Sequence, residues 1–127
     1  MAKPKIPITK LHDEITEWKS SIGLVRDEIS AFQKELREIV NKNNNKEALK
    51  GVEHFQNQFI RQLEISDDLM HDLHIADHKL AEKAQLSADS DLTLKEDDVQ
   101  LRDKVETYDK LFRELENDYH LFLEKWM

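Results

Sequence analysis

No proline follows Pro7 in a chain of 127 residues. Proline and glycine punctuate tight turns, and this sequence holds only two of each. A sandwich, a barrel or a doubly wound sheet needs many such turns, so a few long helices are what the chain can build. The apolar pattern agrees. Ile8, Leu11, Ile15, Trp18, Ile22, Val25, Ile29, Phe32, Leu36 and Ile39 follow one another at steps of three and four. A strict seven-residue period drifts about 20° per heptad on a straight helix, so such a helix supercoils left-handedly around its partners. Trp18 and Phe32 are large for a two-stranded seam and suit a core of three or four helices.

The pattern predicts helices over about 8–42, 46–86 and 94–126. On the second, Leu49, Val52, Phe55, Phe59, Leu63, Leu69, Met70, Leu73, Ala76, Leu80 and Ala84 form a broad apolar arc, interrupted at Ser66 and Asp77. On the third, Leu94 is followed by Leu101, Val105, Tyr108, Phe112, Leu115, Tyr119, Phe122 and Trp126, again at alternating steps of four and three from residue 101. The asparagine-rich run Asn41–Asn45 separates the first two helices, and Asn44 with Glu47 forms a candidate N-terminal cap pair. Residues 87–93 read as a polar loop, closed by Thr93 and Glu96 as a capping box. Both glycines, Gly23 and Gly51, are expected to face away from the seams. Helices joined by short loops lie antiparallel to their neighbours. The expectation is an all-α fold, an antiparallel up-down-up three-helix bundle forming one domain over 1–127, with residues 1–6 as a flexible tail.

Charge and composition narrow the function. Charged residues make up 36% of the chain, and its net charge is −8. Beyond Lys3 and Lys5 no segment is basic, which argues against nucleic acid and against an anionic membrane surface as partners. No apolar run approaches the roughly 20 residues that span a bilayer. The absence of cysteine removes disulfides, thiolate metal sites and thiol nucleophiles, and it fits a cytoplasmic protein. With glycine only at 23 and 51 there is no phosphate-binding loop. The abundant carboxylates are spaced as solvated helix faces with partners such as Glu38 and Lys42.

One row of histidines stands out. His71, His74 and His78 fall at i, i+3 and i+7, with Asp67 and Glu82 extending the stripe at either end. A pair such as His74 and His78 at i, i+4 can chelate a divalent ion, and imidazole with carboxylate suits zinc, nickel, copper or iron. The stripe lies on the flank or the outside of the expected bundle, whereas bundle metal centres are held inside by facing helices. Ferritin-like di-metal sites also need Glu-x-x-His motifs, and this chain has none.

Two weaker signals remain. Gln56, Ser66, Asp77 and Asp98 stand where apolar residues are due, and a polar seam residue can set register. Leu24, Ile60, Ile75, Val99 and Leu121 lie outside the apolar arcs. Ile60 and Ile75, near the histidine stripe, could form an interaction patch that pairs two copies into a homodimer. The function expected from these residues is a non-enzymatic module for protein–protein interaction: an adaptor, a chaperone-like subunit or a structural subunit with a protein partner and no cofactor. The alternative is a metal-binding helical protein that uses His71, His74 and His78.

Overall fold

The computed structural model describes residues 5–86, 91–93 and 96–127, with side chains over 9–82 and 99–127. Three helices carry the fold: α1 (Ile8–Lys42), α2 (Lys46–Leu86) and α3 (Glu96–Trp126). They pack as an up-down-up bundle, as the heptad spacing predicts. The first two helices have the predicted bounds, and the third begins two residues later. Among the described residues no helix is long and apolar enough to cross a membrane.

Two residues of the expected N-terminal tail, Lys5 and Ile6, belong to a strand. Lys5–Pro7 is a strand, β1, paired antiparallel with a second strand, β2 (Asp91–Thr93), in the region read as a loop. The register sets Lys5 opposite Thr93, Ile6 opposite Leu92 and Pro7 opposite Asp91. Three-residue strands leave too short a pattern to read from spacing. The remainder of the expected tail (1–4) and of the loop (87–90), with the side chains of Ala84, Thr93, Leu94, Glu96 and Asp98, lies outside the described residues.

The turn between α1 and α2 closes on asparagine. Asn43 N–H and its side-chain amide both donate to Ile39 O, at 2.9 and 3.1 Å. The N-cap of α2 is Asn45 rather than Asn44: its Oδ1 accepts from Glu47 N–H at 2.8 Å and Ala48 N–H at 3.3 Å. Helical geometry begins at Lys46, so Asn45 is the residue whose side chain reaches the first free N–H groups.

The core follows the three seams. Leu11, Ile15, Ile22, Val25, Ile29, Leu36 and Ile39 are buried on α1, and Leu101, Val105, Tyr108, Phe112 and Tyr119 on α3. Trp18 and Phe32 are half-buried against them. On α2 the buried positions are Ala48, Val52, Phe55, Phe59, Gln62, Ser66, Leu69, Leu73 and Leu80. This is a sharper line than the broad arc expected. Leu49 and Leu63 are only half-buried, as are Met70 and Ala76. The buried polar residues are Gln62 and Ser66, whereas Gln56 is half-buried. Continuing the three-four step from Phe55 and Phe59 leads to 62 and 66, so the signal was present in the spacing.

Around the α1–α2 turn the core is aromatic. Phe32 and Tyr119 lie 4.8 Å apart by ring centroid, Phe55 and Phe122 5.1 Å, and Phe59 meets Tyr119 edge-on at 5.1 Å. Tyr119 Oη donates to Phe32 O at 3.1 Å, joining α3 to the α1 backbone. Burial and the neighbouring Glu35 carboxylate push this phenol well above its ordinary pKa, so it stays a donor. Gly51 does not face away from the seam. A methyl group there would overlap the Phe122 ring, so glycine is what lets that ring lie against the α2 backbone. Gly23 has open space where a side chain would stand.

A candidate docking groove

Cross-helix ion pairs hold α1 to both neighbours. Asp77 on α2 accepts from His12 Nδ1 at 2.8 Å and from Lys19 Nζ at 3.2 Å. Burial acts to raise the Asp77 pKa, but these two bonds and their charges outweigh it and hold the carboxyl below its ordinary value. Arg26 meets Asp67 at 3.0 Å. Between α1 and α3, Arg102 reaches Glu14 at 2.6 Å and Arg113 reaches Glu28 at 3.2 Å, while Arg113 also meets Glu116 of its own helix at 3.0 Å. Burial and the hydrogen bond to Glu116 raise the Glu28 carboxyl. At Glu116 burial acts in the same direction, but the bonds from Glu28 and Arg113 overcome it and lower the pKa.

Between α2 and α3 the arrangement differs. A recess of about 410 Å³ runs between the helices, floored by Leu69 and Tyr108 and walled by Ile65 and Leu111. A second, of about 250 Å³, continues it past Ile75, Ala76 and Leu101 toward Lys79 and Gln100. The two adjoin at Asp72 and Lys104, and together they make up the α2–α3 groove. Leu111 is 46% exposed and Ile75 41%. The groove's rim charges are Asp68, Asp72, Lys79, Asp103 and Lys104. Among the described residues none of these five has an ion-pair partner. Among the described residues the ion pair between α2 and α3 is Lys125 with Glu47, at the opposite end of the bundle.

A polar layer sits beside the groove. The Ser66 hydroxyl donates to Leu63 O within its own helix at 2.7 Å. Tyr108 Oη and Gln62 Oε1 are buried without a hydrogen-bond partner. Burial pushes the Tyr108 phenol up, against the opposing influence of nearby Ser66 and Arg26. The Ser66 hydroxyl donates to Leu63 O and lies near Tyr108 Oη without forming a hydrogen bond to it.

The histidine stripe projects away from the core. His71, His74 and His78 are all exposed. Asp67 is engaged by Arg26, and His78 Nε2 lies 3.2 Å from Glu82. Among the described residues no three histidine or carboxylate side chains converge into a metal-binding group. The expected apolar patch is divided: Ile75 lines the groove, whereas Ile60, 49% exposed, is not among its lining residues. Sequence reasoning missed Ile65 and Leu111, each of which directly precedes a seam residue (Ser66 and Phe112) and so blends into the helix core pattern.

Comparison with protein-family models, with curated proteins and with solved structures finds no match to this chain.

Proposed function

We propose that this chain is a non-enzymatic helical-bundle interaction module, an adaptor, chaperone-like or structural subunit, which docks a helix of another protein in the α2–α3 groove. One observation carries the reading. The groove combines exposed apolar walls with rim charges that have no ion-pair partner among the described residues, whereas the seams of α1 are closed by ion pairs. A contiguous apolar patch rimmed by polar groups is the usual form of an interaction site. An amphipathic helix fits such a groove through residues at i, i+3 or i+4, and i+7. The reading includes a cytoplasmic setting, with which the cysteine-free sequence agrees.

Site-specific photocrosslinking in the native cell tests it. A photoreactive side chain at Leu111 should capture a partner that the same group at Leu24, 62% exposed and not among the groove-lining residues, does not capture. Equal labelling from both positions, or none from Leu111, would overturn the proposal.

A further inference from the structure

Resting on the docking role of the groove, we infer that its occupant is an amphipathic helix of about four turns with basic residues along its flanks. Length comes from the groove. Its α2 wall runs from Ile65 to Lys79, about 20 Å at ~1.5 Å per residue. The apolar floor sets the face that enters: Leu69, Tyr108, Ala76 and Leu101 lie in line along the two facing helices.

Charge sets the flanks. Asp68 and Asp72 stand on the α2 rim, Asp103 and Lys104 on the α3 rim, and Lys79 at the far end. Three carboxylates against one ammonium, all without an ion-pair partner among the described residues, therefore border the larger recess, on a chain whose net charge is −8. Lysine or arginine on both flanks of an incoming helix would meet them, and one acidic residue at its far end would meet Lys79. Complementary rim charges speed encounter and reject wrong partners more than they add affinity, so they report partner class. The same charges disfavour a second copy of this chain. It would bring the same three aspartates to the same groove, and the chain has no basic helix to offer. Nucleic acid is disfavoured by the acidic rim.

The test uses the full chain and two labelled synthetic 14-residue peptides. Both carry leucine at i, i+3, i+7 and i+10; one has lysine on its flanks and the other glutamate. Fluorescence anisotropy at physiological salt should show the lysine peptide binding about tenfold more tightly, the size that three rim ion pairs of surface strength can supply. Leu111→Lys should abolish its binding. The triple variant Asp68→Lys, Asp72→Lys, Asp103→Lys should reverse the preference. Circular dichroism of each variant checks that the substitutions leave the bundle folded. If both peptides bind alike and both are lost with Leu111→Lys, the groove remains a docking site and the basic-partner inference fails. Binding of neither peptide also overturns the inference, and the crosslinking at Leu111 then judges the docking role separately. A concentration-dependent dimer that Leu111→Lys dissolves, seen by sedimentation, would assign the groove to a second copy and overturn it as well.

Discussion

The same two helices, α2 and α3, meet in two different ways along their length. Near the α1–α2 turn the Phe122 ring lies on the α2 backbone at Gly51, Phe55 packs on both Phe122 and Tyr119, and Lys125 reaches Glu47. Toward the β ladder the helices leave a groove walled by Ile65, Ile75 and Leu111. The change falls where the α2 seam turns polar, at Gln62 and Ser66. Aromatic rings and a missing side chain let helices approach and interlock. Two polar steps remove that apolar filling, and Tyr108 crosses the gap with a hydroxyl that finds no partner. A bundle can thus be firmly built at one end of a seam and leave the other end for binding.

Five substitutions test that contrast by urea unfolding, beginning with the largest loss. Phe59→Ala, in the aromatic half, should cost about 3–5 kcal/mol. Leu111→Ala, in the grooved half, should stay within about 0.5 kcal/mol; similar losses at both positions would break the comparison. Gly51→Ala should lose about 1–2 kcal/mol, because displacing the Phe122 ring outweighs a gain in helix propensity of about 1 kcal/mol. Gly23→Ala, with open space around it, should keep that gain. If Gly51→Ala were stabilising, the close approach would not be structural. Tyr108→Phe should stabilise the bundle by about 1 kcal/mol, since it removes a buried hydroxyl that makes no bond.

A last pair of substitutions compares the two flanks of α2 near the groove. Asp77→Asn, on the α1 side, should cost about 0.5–1 kcal/mol at neutral pH, the range of a partly exposed pair. Asp72→Asn, on the groove side, should cost almost nothing. The sign with pH follows from the lowered Asp77 pKa in the folded chain. Its contribution is complete above the unfolded carboxyl value near about 4 and is lost as pH falls through the lower folded value. Unfolding followed from neutral to acid pH should therefore show the wild-type and Asp77→Asn curves converging at the acid end.

Heptad spacing made the helices and most of the core legible, because burial of one face is a repeating local property. Ile15, Ile22, Ile29, Phe112 and Tyr119 are buried where their spacing puts them. What escaped depends on relations between helices. Gly51 looked like a residue turned outward until Phe122 came to rest on it. Asp77 looked like an interruption of the apolar arc, and its role is set by Lys19 and His12 on another helix. Ile75 was visible as an apolar outlier, but its companions Ile65 and Leu111 become a surface only when α2 and α3 stand side by side.

The small ribbon of β1 and β2 bears on an ambiguity that heptad seams share. A helix moved seven residues along its neighbour, about 10 Å, finds apolar residues opposite apolar residues again. A strand pair has no such tolerance, because a slip of one residue turns every side chain to the other face. Pairing Lys5–Pro7 with Asp91–Thr93 ties the start of α1 to the start of α3 at one axial setting. The ribbon is thus the zero mark on a ruler whose other divisions look alike.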